Sequence, residues 1–360
     1  MMDKGKIVVG LSGGVDSSAA ACLLKEQGYE VLGVTMVNFH GSLSSGAQEA
    51  AQKTVEDAKK VADYLEIPHY VVDFCSQFQE KVIDYFIKEY FFGRTPNPCV
   101  VCNRYIKWKA MMEQAQKLGA ELLATGHYAR VERLANGRYT LRCSASAAKD
   151  QTYALYRLTQ EQLSHTVMPL GDYTKDEVRR IARNRGIPVA KKPDSMEICF
   201  IPDKDYAGFI ERNTDVKAPK GNYVNAAGEI LGQHEGIIHY TIGQRKGLNL
   251  AMGHPVFVTQ IRPETNEVVI GENEDVFAPA LLCSHLNPVS VSGFESGMEV
   301  FAKIRYNHKG APAVLEKTGE DALIVRFREP QRAITPGQSV VFYQGDCVAG
   351  GGVIDAAVKE

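Results

Sequence analysis

Between an apolar run at residues 6–11 and a helix-like stretch from Asp16 to Gln27, the chain reads Gly10-Leu11-Ser12-Gly13-Gly14-Val15-Asp16-Ser17-Ser18. A strand that turns through glycines directly into a helix gathers the N–H groups of the turn and of the first helical turn at one point. That point suits a phosphate. Gly13 and Gly14 let the main chain approach phosphate oxygens, and Ser12 and Ser17 offer hydroxyls. Asp16 is placed either to cap the helix or to help hold Mg²⁺. The plainer reading is a Gly-rich turn with an Asp cap. Neither G-x-x-x-x-G-K-[ST] nor G-x-G-x-x-G is present, which disfavours the usual P-loop NTPase and the dinucleotide-binding fold.

The pattern around the loop extends it into a domain. A second apolar run at 31–37 completes a β-α-β unit. A helical stretch at 48–66, a strand at 69–73, helices near 77–92 and 104–118 and a strand at 121–125 follow. The expected result is a doubly wound α/β fold, a parallel sheet with helices on both faces. Residues 131–143 alternate around Asn136-Gly137 and read as a hairpin inserted beside that sheet. Thr174 and Glu177 form a capping box, and Gly186 with Pro188 closes the helix between them. From Asp172 to Lys192 there are seven basic and three acidic residues, a local charge of +4. After about residue 206 short alternating runs separated by Gly, Asn and Pro indicate β structure to the end, with a boundary near 276–290. The expected domains are 1–205, a β-rich middle domain at 206–278 and a C-terminal β-barrel at 279–360.

A chain of 360 residues exceeds what one core usually supports, in keeping with that division. The net charge of -2 argues against a surface that binds nucleic acid everywhere and leaves room for a local basic patch. No window is apolar enough to span a bilayer, and the apolar run after Lys4 and Lys6 is too short for a signal-peptide core. A cytoplasmic location without a membrane partner is expected. The eight cysteines are then thiols for chemistry, metal or packing rather than a disulfide scaffold.

Two segments place cysteines in distinctive settings. Residues 93–103 read Gly-Arg-Thr-Pro-Asn-Pro-Cys-Val-Val-Cys-Asn. This Pro-rich loop presents Cys99 and Cys102 at the start of a helix, where a thiolate is favoured. A zinc half-site is the alternative, but a partner Cys or His pair is missing, so no metal site is expected. Just beyond the basic helix, Asp194-Ser195-Met196-Glu197-Ile198-Cys199-Phe200-Ile201 carries a third cysteine, which alone reads equally well as a buried apolar residue.

The Ser-Gly-Gly-Val-Asp-Ser loop resembles the pyrophosphate-binding loop of the ATP pyrophosphatases, which split ATP between its α and β phosphates and adenylate a substrate oxygen. Taken with the Pro-rich Cys loop and the Ser-Met-Glu-Ile-Cys-Phe segment, the chain closely resembles, over essentially its whole length, the tRNA-specific 2-thiouridylase (tRNA-uridine 2-sulfurtransferase) family. Ala124 to Ala129, Lys149-Asp150-Gln151, Gly243 to Leu248 and Arg305-Tyr306 fit the same pattern. The resemblance implies an adenine nucleotide alpha hydrolase-like first domain. It places ATP, with Mg²⁺, on Gly10, Leu11, Ser12, Gly13, Gly14, Val15, Asp16, Ser17, Met36 and Gly126, although Met36 in a strand can equally be core. Target base and tRNA are assigned to Asn97, Pro98, Cys99, His127, Lys149, Asp150, Gln151, Arg305, Tyr306 and Gln338.

The implied chemistry is adenylation of the wobble uridine O2 and transfer of sulfur to C2 from a persulfide on Cys199. Cys102 resolves the persulfide, either after its terminal sulfur has attacked C2 directly or by first liberating hydrosulfide, and AMP, pyrophosphate and a Cys102–Cys199 disulfide result. The sulfur donor is expected to be a cysteine desulfurase or a relay, and the acceptors tRNAs for lysine, glutamate and glutamine. Many family members have Asp where this chain has Cys99, so Cys99 stands as a replacement, a bystander or a competing disulfide partner. An amidating synthetase with the same ATP loop, and a non-catalytic RNA-binding or sulfur-carrier protein, are the rival functions. The first needs no paired cysteines, and the second needs no complete ATP loop. The basic helix is either an RNA contact or a solvated face.

Overall fold

The computed structural model describes residues 4–39, 45–193 and 197–359, with only the backbone described at 45–48. Asp194, Ser195 and Met196 of the expected cysteine segment lie outside the described residues. The chain forms two compact units. One takes the residues up to Val82, Cys99–Lys204 and Asp346–Val348. The other takes Ile83–Pro98, Asp205–Gly345 and the residues from Ala349 onward.

The first unit is built on β1 (Lys6–Gly10), α1 (Val15–Glu26), β2 (Glu30–Val37), α2 (Ser45–Leu65) and β3 (His69–Asp73). These are the first five elements the sequence pattern calls for. Strands pair in the order β3-β2-β1-β4-β7, all parallel, with β4 at Leu122–Ala124 and β7 at Thr166–Val167. Ile7, Val8 and Val9 are fully buried, as a central parallel strand covered on both faces requires. Ala19, Ala20 and Ala21 are small enough for α1 to pack against the sheet and α9 (Lys175–Asn184) in one apolar cluster.

The helices expected near 77–92 and 104–118 are both subdivided. The first becomes α3 (Cys75–Phe78), a π-helical turn at Gln79–Ile83 and α4 (Asp84–Phe91). The second becomes α5 (Pro98–Cys102), a π-helical stretch at Asn103–Ala110 and α6 (Met111–Lys117). Apolar spacing alone does not distinguish i→i+4 from i→i+5 bonding. The hairpin is present as β5 (Arg130–Arg133) and β6 (Tyr139–Arg142), but it does not join the parallel sheet. Arg142 pairs instead with Cys347, Thr140 Oγ1 donates to the Val348 carbonyl (3.2 Å), and Arg130 reaches Asp346 (3.1 Å). A segment more than 200 residues away supplies its partner, which local alternation cannot reveal. The short helices α7 (Thr152–Leu155) and α8 (Gln160–Ser164) complete this unit.

The second unit begins with α4, whose Phe86 makes an edge contact with Phe209 (6.2 Å between centroids) in α10 (Tyr206–Arg212). That helix opens a region that the sequence reads as β-rich. A four-stranded sheet follows, in the order β10-β11-β8-β9, from β8 (Gly221–Val224), β9 (Ile230–His234), β10 (Phe257–Arg262) and β11 (Glu267–Gly271). Its core closes over Tyr223, whose hydroxyl lies 2.7 Å from that of Tyr240. Strands β12 (Phe277–Pro288), β13 (Glu299–Lys303), β14 (Ala311–Lys317), β15 (Ala322–Arg332), β16 (Ser339–Gln344) and β17 (Cys347–Val358) form a barrel. The order is β12-β15-β14-β13-β16-β17, and β12 pairs with β17 to close it, leaving no open edge. Leu281, Leu315, Leu323, Val325 and Phe342 fill its interior.

Candidate active site

The Gly-rich loop folds as a tight, open turn into α1 for reasons visible residue by residue. Gly13 has φ +60°, and a Cβ added there would lie 2.7 Å from the Thr54 carbonyl, so only glycine fits between loop and α2. Gly126 presses equally hard on the start of α1, since an added Cβ would lie 2.6 Å from the Ser17 nitrogen. Gly14 is the N-cap of α1 and supplies no capping side chain. The N-cap of this 12-residue helix thus offers its first N–H groups no side-chain acceptor. A Cβ added at Gly14 would meet only Ser12 Oγ, at 3.3 Å. Uncapped N–H groups in an open cradle fit the phosphate chain of ATP.

The polar residues of the loop divide their work. Ser17 Oγ accepts from the Ser12 N–H (3.1 Å) and donates to the Gly14 carbonyl (3.3 Å), so this buried hydroxyl braces the loop. Asp16 does not cap the helix. Its carboxylate accepts the Tyr128 hydroxyl (2.9 Å) and takes Lys175 Nζ on both oxygens (2.7 and 2.8 Å). Lys192 Nζ donates to the Gly13 carbonyl (3.0 Å) and to Asp57 (2.8 Å), and this bond holds the Asp57 carboxyl below its usual range. Part of the basic stretch is thus bound to the loop rather than simply solvated, and Arg185 is likewise paired with Glu26. Met36 is half-buried in β2, next to Val72 of β3. Among the described residues no group of three or more His, Cys, Asp or Glu side chains is arranged to hold a metal ion.

In the same unit, Cys99, Cys102 and Cys199 are close enough for ionisation of one to oppose that of another. Burial pushes the Cys102 thiol up to about 11, and the neighbouring Cys99 adds to the rise. Cys199 is pushed up to about 12, by burial first and then by Cys102 and Cys99. Cys99 is raised by burial too. Cys99 and Cys199 nonetheless present surface to solvent. The helix start was expected to favour thiolate. Helix α5 has only five residues, and desolvation outweighs its dipole.

Lys107 is the cation that opposes desolvation at all three thiols. It stands five residues after Cys102 in the π-helical stretch, where i→i+5 bonding brings residues five apart to neighbouring positions. Burial, and after it the same charge, keeps His127 well below its usual range, hence a neutral imidazole. His127 Nδ1 lies 2.7 Å from Thr125 Oγ1, and its ring packs on Trp108. Phe200 anchors the segment after Cys199 by an edge contact with Phe78 (5.6 Å).

The residues assigned to tRNA fall into both units. In the first, both oxygens of Asp150 serve the fold, accepting from the Ser144 N–H (2.9 Å) and Thr152 Oγ1 (2.6 Å). Gln151 exchanges two 2.9 Å bonds with the Tyr128 backbone. Lys149 is half-buried at the end of a 3₁₀ turn. In the second unit, Gln338 Nε2 donates to the Thr95 carbonyl (2.7 Å), and Arg94 reaches Glu89 (2.8 Å) and Asp355 (3.4 Å), fixing the chain just ahead of Asn97 and Pro98. Arg305 donates to the Arg332 carbonyl (3.1 Å), and Tyr306 is 40% exposed.

Lys107 was not singled out from sequence, Lys175 was read only as part of the basic stretch and Tyr128 only within the Ala124 to Ala129 motif. A Lys at the first position of α9, where the helix dipole disfavours a cation, was the one available signal for Lys175.

A glycine-rich loop at a helix N-terminus on a parallel sheet, with three clustered thiols in the same unit, fits a nucleotide-handling α/β enzyme with sulfur chemistry. Family models match in succession: a tRNA methyl transferase HUP domain at residues 5–203, a tRNA methyl transferase PRC-barrel domain at 207–272 and an aminomethyltransferase β-barrel domain at 281–354. The tRNA-specific 2-thiouridylase MnmA of Lachnoclostridium phytofermentans is 57% identical over 97% of this chain and 99% of its own length. That of Clostridium kluyveri is 52% identical over 98% and 99%. The chain belongs to the tRNA-specific 2-thiouridylase family. Partial likenesses among solved structures include an NMN synthetase from Francisella tularensis, at 14% identity and TM-score 0.33 over 53% of this chain and 66% of that one. Another is a 4-thiouridine synthetase in complex with RNA and bound ATP, at 19% and 0.34 over 56% and 46%.

Proposed function

We propose that this enzyme makes 2-thiouridine at the wobble position of tRNA, using ATP to activate O2 and a Cys199 persulfide as the sulfur source. The observation that carries the reading is the cluster of Cys99, Cys102 and Cys199 in the unit that also holds the uncapped phosphate loop. ATP, when bound with Mg²⁺, would supply an adenylyl group, with release of pyrophosphate, that turns the carbonyl oxygen into a leaving group. Residues 10–17 and Gly126 would hold its phosphates by backbone N–H groups, and Met36 would pack on its base. The terminal persulfide sulfur bonds to C2 while AMP departs. Cys102 then bonds to Cys199 Sγ, the bond between Sγ and the transferred sulfur breaks so that 2-thiouridine leaves, and the resulting Cys102–Cys199 disulfide is reduced by an external thiol.

Asn97, Pro98, Cys99, His127 and residues 149–151 are assigned to the target base and its neighbours, and Arg305, Tyr306 and Gln338 to the rest of the tRNA. Domains at 1–205, 206–278 and 279–360, a cytoplasmic location, acceptors for lysine, glutamate and glutamine, and a desulfurase or relay as donor complete the proposal. Among the described residues no helix is long and apolar enough to cross a membrane.

The test is reconstitution with ATP, Mg²⁺, a persulfide donor, a thiol reductant and unmodified tRNA, read by nucleoside mass spectrometry. The wild type should yield 2-thiouridine and AMP, and both Cys102→Ala and Cys199→Ala should lose persulfide-dependent transfer. AMP without a thiolated nucleoside would leave the ATP loop right and the acceptor wrong.

A further inference from the structure

Lys175 is placed where its own helix least favours it. It is the first residue of α9, after the N-cap Thr174, with Asp176 and Glu177 in the same turn. A cation at a helix N-terminus opposes the dipole, so the position is explained by what Lys175 reaches. Its side chain is 12% exposed, its ammonium spans both oxygens of Asp16 at 2.7 and 2.8 Å, and the Tyr128 hydroxyl donates to the same carboxylate at 2.9 Å. Asp16 lies in the first turn of α1, whose N–H groups form the phosphate cradle. A bare carboxylate there would repel a triphosphate over a few ångströms. The Tyr128 main chain is fixed at both N–H and carbonyl by Gln151, so its hydroxyl is a pre-set donor.

We propose that Lys175 is a positioning residue of the ATP site: it neutralises and orients Asp16 so that a triphosphate can occupy the N-terminus of α1. The proposal rests on the ATP reading given above. Lys175 acts through Asp16, and the Tyr128 hydroxyl holds the same carboxylate from another side. No covalent step is involved.

The experiment is calorimetric titration of ATP, with and without Mg²⁺, into the full chain and the variants K175M, D16N, the double variant and K175R, each checked by thermal melting. K175M should weaken Mg²⁺-free ATP binding about tenfold, and K175R should stay within about threefold of wild type. The double variant should recover most of the lost affinity, because no uncompensated carboxylate remains. Additive losses in the double variant would overturn the proposal, since Lys175 would then act on phosphate independently of Asp16. Wild-type affinity in a folded K175M would overturn it as well. Failure of the wild type itself to bind ATP would instead remove the ATP reading and this proposal with it.

Discussion

Replacing Gly126 by Ala tests whether the phosphate cradle depends on close backbone approach. The added methyl would lie 2.6 Å from the Ser17 nitrogen, 2.8 Å from the Asp16 carbonyl carbon and 3.0 Å from Ser17 Cα. Ordinary contact begins near 3.4 Å, so α1 or the 126 segment must give by nearly an ångström, and backbone has no rotamer to swing aside. Overpacking of this kind costs about 1–3 kcal/mol. For a unit of this size that corresponds to a melting temperature lower by roughly 4–8 °C at about 2 kcal/mol. Because the displaced atoms include an N–H of the cradle, ATP affinity should fall about tenfold at the same time, a loss of about 1.4 kcal/mol. The control is Gly293→Ala, where an added Cβ has nothing within 4 Å. Differential scanning fluorimetry and calorimetric ATP titration read both effects. A Gly126→Ala protein that melts and binds ATP like the wild type would refute the argument that backbone contact shapes the site.

The thiols give two further predictions. With Cys102 pushed up to about 11, only about one molecule in a thousand carries that thiolate at pH 8, so alkylation at Cys102 by iodoacetamide should climb about tenfold per pH unit from 7 to 10. A plateau near pH 9, read by peptide mass spectrometry, would contradict the desolvated site. Lys107→Met removes the charge that lowers all three thiols, so alkylation at pH 8 should slow by about threefold at Cys102 and Cys199 in a protein with unchanged melting. Unchanged or faster alkylation would place Lys107 outside the site.

How far the sequence reveals this arrangement depends on the range of the cause. The Gly-rich loop, the flanking strands and the Thr174–Glu177 capping box are written within a few residues, and each appears where its local chemistry puts it. The β5–β6 hairpin was legible, but its pairing with Cys347 was not, because the partner is set by closure of the chain over some 200 residues. The sign of the thiol shifts was missed for a similar reason. A helix start is visible in Pro98-Cys99, whereas the desolvation that overrides it comes from residues brought together by the fold. Lys175 and Lys192 show the same limit, since a count of basic residues on α9 and beyond does not say which face meets Asp16 and Asp57.

Cys99 is where local and tertiary effects meet most sharply. An Asp at this position would be anionic at neutral pH and able to take a proton, while a thiol pushed above its ordinary value is protonated there and can only give one. In the proposed reaction Cys99 is therefore a proton donor or a bystander, not a base. Cys99→Asp should place a permanent negative charge beside Cys102 and Cys199 and raise both thiols further, so alkylation of each at pH 8 should slow relative to Cys99→Ala. Iodoacetamide kinetics on the two variants, resolved by peptide mass spectrometry, decide the sign. Faster alkylation in Cys99→Asp than in Cys99→Ala would mean that the carboxylate takes protons from the neighbouring thiols, and the ordering of charges argued from the cluster would be wrong.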